Sequence, residues 1–346
     1  MSDQPPRERS SPWQHVHPDV TTPTPRWSIV IPLYNMAATI GRAIDSVVTQ
    51  SETDWELIIV DDGSIDGSAA IVTSFADQRI SLVHQANAGE SAARNRGVES
   101  ARAPLVTFLD ADDRWGSRHL ANLQRLVEDF PDAILYATAY QLVYESGEGR
   151  RVRLRDGTPA RYVMADYFAE SVDYEVPVCA SGVAVRKSDL QRIGGFPIGV
   201  HVGGDLMTWA RLACLGAVAY STEPTSFVYP PPVDAGRRRA ALRRPHKPDH
   251  VGLALAQLTD EHPEQARSIE RYRAWWHRLS ALTFAELGER RESLGATLRA
   301  IKLDRPTVRD GTIVVLSVIP NAVRTQLLAR NRLRRRRRDA QAQAHG

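Results

Sequence analysis

Residues 105–113 read LVTFLDADD: an unbroken apolar run, Leu105 to Leu109, that ends in Asp110, Asp112 and Asp113. The run has the β-branched, uninterrupted character of a strand covered on both faces. Three acids within four positions repel one another, and burial adds to the cost of their charge. Two readings are open. One is a solvated turn into a helix capped by Asp113 or Ser117. The other is a strand end where Asp110 and Asp112, spaced i, i+2, converge on a hard cation such as Mg2+ or Mn2+. A cation there would remove the repulsion and bridge phosphate oxygens.

The same punctuation recurs upstream. WSIVIP (27–32), WELIIV (55–60) and ISLVH (80–84) are short apolar runs, and polar clusters follow them: Tyr34-Asn35, Asp61-Asp62-Gly63-Ser64 and Asn87-Ala88-Gly89. Helical patterns fill the gaps. Ile40, Ala43, Ile44, Val47 and Val48 share one face, with Thr39 as the N-cap. Residues 69–75 and 91–100 give two more helices. Strand and helix alternating over short connections predict βαβ units and a mostly parallel central sheet flanked by helices, an α/β fold of Rossmann-like character. Ligands of such sheets bind outside the carboxyl ends of the strands, where all four polar clusters fall.

Each cluster has a plain reading beside a functional one. Asp61-Asp62-Gly63-Ser64 is a turn with Gly63 at positive φ, or it supplies a carboxylate for a base or ribose. Gly89 to Gly97 is a surface helix with exposed Arg, or a glycine loop entering a helix N-terminus that attracts an anion, with Arg94 as a planar fork for phosphate.

Downstream, the pattern predicts a helix over 117–130, a strand over 133–144, a strand passing into a helix near Ser188, a turn at 194–197 and a helix over 205–215. Helical patterns at 272–287 and 293–301 close the ordered chain. A composition shift to Pro, Arg and His places a boundary between 233 and 249. The expected organisation is a disordered tail at 1–26, the α/β domain at 27–240, a helical region at 241–330 and a basic disordered tail at 331–346.

With 346 residues, 42% hydrophobic and 25% charged, the chain can bury a full core. Its net charge of +3 conceals an asymmetry: seven Arg and no acid lie between Arg330 and Arg338, so the rest is mildly acidic. Cys179 and Cys214 make neither a disulfide framework nor a metal site, which fits a reducing compartment. The N-terminus lacks the apolar core of a signal peptide, and no apolar run approaches the ~20 residues of a membrane span. The chain is therefore expected to be soluble and cytoplasmic. The Arg-rich end reads either as a solvated tail after a packed helix or as a contact for nucleic acid or an anionic membrane.

Taken in order and spacing, SIVIPLYN, AIDSVVTQ, WELIIVDDGSIDGS, NAGESAARNRG and LVTFLDADD resemble glycosyltransferase family 2, with its GT-A fold, over residues 27–211. No single motif would carry that likeness; the set does. The resemblance implies an enzyme of hexosyltransferase type that moves a sugar from a nucleoside diphosphate donor to an acceptor hydroxyl with inversion. UDP is the commonest donor nucleotide in the family, followed here as open alternatives by GDP and dTDP. By motif, Pro32, Tyr34 and Asn35 would line the base pocket, Asp62 would bond base or ribose, and Arg94 would lie near the phosphates. Asp110 and Asp112 would form the DXD motif. Asp112 would be the direct metal ligand for Mn2+ or Mg2+, Asp110 would face ribose and metal, and Asp113 would touch the donor sugar.

The family's pattern for the general base is a Gly-Gly-Phe turn followed by Glu-Asp opening a helix. Here Gly194-Gly195-Phe196 is followed by Gly203-Gly204-Asp205, so Gly204 stands where Glu is usual. Asp205 is the expected base, against the alternative that it only caps its helix. The QxxRW signature of processive synthases is absent, which implies single addition. The implied acceptor is a glycan, a lipid-linked glycan or a small molecule. A lipid-linked or envelope acceptor would favour peripheral contact between the Arg-rich end and the inner face of the plasma membrane, over any specific nucleic acid. Two other classes compete: a nucleotidyltransferase, which would show a Gly-rich phosphate loop where Leu33-Tyr34-Asn35 stands, and a non-catalytic nucleotide-sugar or nucleic-acid binder.

Overall fold

The computed structural model describes residues 23–144, 147–174, 176–230 and 243–320, with 323, 324, 326 and 327. Most of the expected N-terminal tail, the basic tail and part of the 233–249 boundary lie outside the described residues.

Four strands form the parallel half of the sheet: β1 (Trp27–Leu33), β2 (Trp55–Asp61), β3 (Ile80–His84) and β4 (Leu105–Phe108). They are joined through helices α1 (Ile40–Val48), α2 (Ser68–Thr73) and α3 (Glu90–Ser100). Every residue of β1, β2 and β4 is buried, because helices cover both faces. The faces alternate along β1 as period-two geometry requires. Ile29, Ile31 and Leu33 pack with Ile40, Ile44 and Val47 of α1, while Val30 turns to the opposite core with Ala93 and Val98 of α3. Gly97 makes that second contact possible: a Cβ there would sit 2.3 Å from Val30 Cγ1.

The chain then adds β5 (Arg114–Trp115), α4 (His119–Asp129), β6 (Leu135–Val143), β7 (Gly149–Arg151), β8 (Arg161–Val163), α5 (Tyr167–Asp173), β9 (Val183–Arg186), α6 (Lys187–Arg192), α7 (Gly204–Leu215) and β10 (Val218–Val228). The sheet order is β3-β2-β1-β4-β9-β6-β10-β5, with β7 on β6 and β8 on β10. The long ladders, including β6 with β10, are parallel; the antiparallel pairings are ladders of two or three residues. Helices α8 (His250–Glu261), α9 (Ala266–Leu287), α10 (Arg290–Leu303) and α11 (Val308–Val318) follow. They are the expected helical extension. Val251, Leu255, Ile269, Tyr272 and Trp276 of this extension belong to the same buried cluster as Val30, Phe108 and Trp209.

Two local expectations need correction. Thr39 occupies the N-cap position of α1, but its side chain makes no capping bond. Neither Asp113 nor Ser117 caps α4; Arg118 stands there, again without a cap bond. Strand β10 escaped the sequence reading because Thr222-Glu223-Pro224-Thr225 interrupts its apolar pattern, and its register shifts between Ser221 and Ser226.

The close approach at Gly97 is testable. Gly97→Val should overpack the contact between α3 and β1 and cost about 1–3 kcal/mol, read as a fall of several degrees in the thermal midpoint.

Candidate active site

All four polar clusters meet at the carboxyl edge of the parallel strands, around a cleft of about 480 Å3 lined by Pro32, Tyr34, Asp62, Glu90, Asp110, Asp112 and His201 among others. The loops forming it are tied to one another. Asn35 sits at φ 53°, a left-handed conformation Asn tolerates better than most residues. Its Oδ1 accepts from Ile65 N at 2.9 Å, and its own N–H donates to Ser64 Oγ at 3.0 Å. Met36 N donates to Ser68 Oγ and Ala37 N to Asp66, each at 2.9 Å. The loops after β1 and β2 are thereby stitched together. Asn35 works as a stitch and is not among the lining residues, whereas Pro32 and the exposed Tyr34 are.

The two acids of Asp61-Asp62 divide their work. Asp61 accepts from Ser64 N at 2.9 Å and lies 3.0 Å from His84 Nδ1, so it braces its own turn. Asp62 accepts from Gln85 Nε2 at 2.7 Å, Ala88 N at 2.8 Å and Gly89 N at 2.9 Å. It is buried and moulds the loop that leads into α3.

Arg94 is the central cation. Its side chain is 4% exposed, and its guanidinium donates to Asp110 at 2.6 Å and to Glu90 one turn earlier. Burial alone would weaken its charge, but Glu90, Asp110 and Asp205 push its pKa upward instead. The guanidinium also lies 5.4 Å from the Phe196 ring centre. Phe196 is fixed in turn by the adjacent Asn95, which donates Nδ2 to Phe196 O and accepts Phe196 N–H on Oδ1, both at 2.8 Å. Beneath the site, Phe108 and Trp209 each pack against Phe196, with centroids at 5.1 and 5.6 Å. One aromatic cluster thus joins the DXD strand, the Gly-Gly-Phe turn and α7.

The three clustered acids have three different fates. Asp110 is paired with Arg94. Asp113, expected at the donor sugar, is buried and does not line the cleft: it accepts from Ser181 Oγ at 2.5 Å and Tyr229 N at 3.0 Å. Ser181 Oγ also accepts from Asp110 N at 3.1 Å, so Asp113 and Ser181 pin the loop from below. Burial, with Asp110 and Asp112 nearby, raises the Asp113 pKa well above the usual carboxylate range. Asp112 lines the cleft, and its backbone carbonyl accepts from Arg42. Burial and then Asp110 raise its pKa.

Asp205 lies in the first turn of α7. It does not cap that helix, since Gly203 holds the N-cap position without a side-chain bond. Burial raises its pKa, Arg94 opposes the rise, and Asp110 adds to it. Glycine at 203 and 204 has a steric reason. A Cβ on Gly203 would lie 2.9 Å from Val251 and 3.1 Å from Trp276, and one on Gly204 would lie 2.9 Å from Ser91 Oγ. The start of α7 is squeezed between α3 and the helical extension, which leaves no room for the usual Glu.

Glu90, Asp110 and Asp205 therefore face Arg94, while Asp112 lies beside Asp110 and Arg42. Arg94 pulls the Glu90 pKa down, yet Asp110, Asp205 and Asp112 push it up, and the side chain is 57% exposed. This excess of negative charge fits a divalent cation. Asp112 and Asp110 offer hard carboxylate oxygens, and no group of three or more His, Cys, Asp or Glu converges as a metal cage among the described residues. Such a cation would be shared with ligand phosphate oxygens and water, as Mg2+-type sites are. Sequence reasoning named Asp62, Arg94, Asp110, Asp112 and Asp205 but missed Asn95, Ser181 and His201. Asn95 stands beside Arg94 in the quoted motif; Ser181 and His201 carry no local signal.

Residues 28–194 match the family described as Glycosyl transferase family 2. An uncharacterized glycosyltransferase of Nostoc sp. is 32% identical over 200 residues, 56% of this chain and 58% of the relative, so the match spans little more than half of that protein. TuaG of Bacillus subtilis, a putative teichuronic acid biosynthesis glycosyltransferase, is 31% identical over 203 residues, 57% of this chain and 75% of the relative. Among solved structures, residues 1–349 of S. aureus TarS superpose with a TM-score of 0.57 at 15% identity, covering 84% of this chain and 83% of that one. The same TarS fragment in complex with UDP-GlcNAc gives 0.50 at 14% identity, covering 84% and 90%. The mannosyltransferase PcManGT of Pyrobaculum calidifontis, in complex with GDP-Man and Mn2+, gives 0.54 at 20% identity, covering 92% and 89%. The structural likenesses concern the fold.

The raised pKa of Asp112 has a stability consequence. Its charged form is disfavoured in the fold, so it costs stability increasingly as pH rises from the ordinary aspartate value of 3.8 through the raised one. Asp112→Asn should therefore raise the thermal midpoint of metal-free protein at pH 7–8. The gain should vanish below pH 3.8, where the native acid is protonated in both the folded and the unfolded chain.

Proposed function

The chain belongs to glycosyltransferase family 2, and on that premise we propose that it is an inverting, metal-dependent glycosyltransferase. Its donor would be a nucleoside diphosphate sugar, UDP-linked by preference, and its acceptor a hydroxyl of a glycan or lipid-linked glycan, extended by a single addition. The observation that carries this reading is the charge cluster at the cleft: Asp110 and Asp112 line it, Arg94 pairs with Asp110 behind the wall, and Asp205 lies close enough to Arg94 and Asp110 to feel their charges. UDP-GlcNAc and GDP-Man with Mn2+ in the two structural neighbours support a nucleotide-sugar donor and a cation. TuaG's assignment to teichuronic acid biosynthesis supports an envelope polysaccharide as acceptor.

Asp112 and Asp110 would hold a divalent cation, which supplies charge neutralisation for the leaving diphosphate. Arg94 binds phosphate oxygens only by yielding part of its pairing with Asp110 and Glu90, so donor entry rearranges that network. Tyr34 and Pro32 flank the base, and Asp62 keeps the 85–89 loop shaped around it. Asp205 takes the acceptor's hydroxyl proton as the oxygen attacks the anomeric carbon. Its raised pKa suits this role, because a base is most effective when its pKa lies near the working pH. The packed Phe108, Phe196 and Trp209 beneath the site keep water from the reacting carbon, where it would hydrolyse the donor.

No helix among the described residues is long and apolar enough to cross a membrane. Peripheral attachment through the Arg-rich C-terminus belongs to this proposal, and that segment lies outside the described residues.

The test is a thermal-shift and turnover screen of UDP-, GDP- and dTDP-sugars with Mn2+, Mg2+ or chelator. One nucleotide should stabilise the wild type in a metal-dependent way, and Asp112→Ala should abolish the shift. No shift with any donor and metal would sink the reading. Asp205→Ala should lower transfer or donor hydrolysis by ~10²–10⁴-fold, while the donor-induced shift stays within a few degrees of wild type.

A further inference from the structure

A second cavity, about 530 Å3, lies wholly in the helical extension. The segment 245–249 and helices α8, α9 and α10 enclose it. Its charged lining is unbalanced. Lys247 is paired with Glu292 at 2.7 Å, and Asp249 already accepts from Gly252 N and Trp276 Nε1 at 2.9 Å each. That leaves Arg273, Arg291 and Arg299, none of which has an acidic partner among the described residues. Arg299 reaches over Gly295, where a Cβ would lie 3.6 Å from its Nη1.

Polar groups in the wall are also short of partners. His277 and Ser280 are each 2% exposed, and both ring nitrogens of His277, Ser280 Oγ and Arg273 Nε lack a hydrogen bond. His277 Nδ1 stands 3.4 Å from Asp249 Oδ2 without making that bond. Burial holds the imidazole pKa down to about 4; Asp249 opposes this, and the cationic Arg299 and Arg273 reinforce it. Buried polar atoms are normally satisfied, so a cluster of unpartnered polar groups beside three guanidinium groups is a site built for a counter-ligand. Guanidinium forks match the several oxygens of a phosphoryl group.

The cavity adjoins the donor cleft. His246 lines the cavity, His201 lines the cleft, and their rings lie with centroids 4.9 Å apart. Asp249 binds Trp276, whose ring closes over Gly203, two residues before Asp205. His246 and Trp276 thus link the cavity wall to the cleft and to the first turn of the helix that carries the candidate base.

We propose that this cavity is a phosphate-binding subsite that holds a phosphoryl group of the acceptor while the hydroxyl to be glycosylated reaches Asp205. The assignment to an acceptor rests on the glycosyltransferase reading; the anion site itself stands on the cavity alone. The phosphoryl group belongs either to a soluble phosphorylated glycan or to a lipid headgroup.

The experiment uses the full chain. Glycerol 3-phosphate is titrated calorimetrically into protein pre-saturated with UDP and Mn2+, for wild type and the double variant Arg273→Gln/Arg299→Gln. Wild type should bind one equivalent saturably, and the variant at least tenfold more weakly with UDP affinity unchanged. Sedimentation with phosphatidylglycerol against phosphatidylcholine vesicles separates the sources: weaker anionic-vesicle affinity in the variant than in wild type assigns a headgroup, and equal affinity, carried then by the Arg-rich C-terminus, assigns the soluble phosphate. No saturable binding of glycerol 3-phosphate, or equal binding by both proteins, overturns the site. Should UDP fail to bind, the donor reading falls, while the same phosphate titration still decides the anion site. Unchanged KM of the variant for a phosphate-bearing acceptor would overturn the acceptor role.

Discussion

A single buried guanidinium balances the carboxyl end of this sheet. Arg94 faces Glu90, Asp110 and Asp205 at once, and it is the counter-charge that Asp110 meets at a strand end sunk in apolar packing. Arg42 helps Asp112 in the same way, but burial first, and neighbouring carboxylates second, still leave Asp112 and Asp113 with raised pKa values. On the proposed reading, a divalent ion would bring positive charge to this region, and the stability that the buried carboxylates cost the free protein would favour the loaded state.

Around that charge cluster, the scaffold uses side chains as braces more than as ligands. Asn35, Asp61, Asp62, Asn95 and Asp113 all spend their hydrogen-bonding capacity on backbone or side-chain groups of neighbouring loops. Precision of this kind matters because Arg94, Asp110, Asp112 and Asp205, the residues proposed to act together, come from different elements. Phe196 is the clearest example: Asn95 fixes its backbone, Trp209 and Phe108 fix its ring, and that ring supports Arg94.

The parallel half of the sheet was legible in the sequence because its strands are buried on both faces and its loops carry strong punctuation. Asp110 and Asp112 were legible for the same reason, as polar residues placed where an apolar run stops, and Arg94 was legible from the glycine that opens its helix. The short strands β5, β7 and β8 were not, since two or three residues give no period. Roles were harder to read than positions. Asp113 looks like its neighbours in the sequence, but Ser181 and Tyr229, 68 and 116 residues away, turn it into a structural anchor. The missing side chain at Gly204 makes sense only once α3 and α7 are seen to touch.

The paired glycines ahead of Asp205 also bear on how relatives of this chain can be recombined. Because Val251 and Trp276 fill the space where a side chain on Gly203 would sit, the extension forms part of the mould in which the candidate base is cast. A chimaera that joined this α/β body to another relative's C-terminal helices would change acceptor surface and base geometry in one step. The two cannot be inherited separately. A side chain at position 203 would have to adopt a φ of +80° and also displace Val251 and Trp276, so the position is constrained by its own backbone and by residues far along the chain.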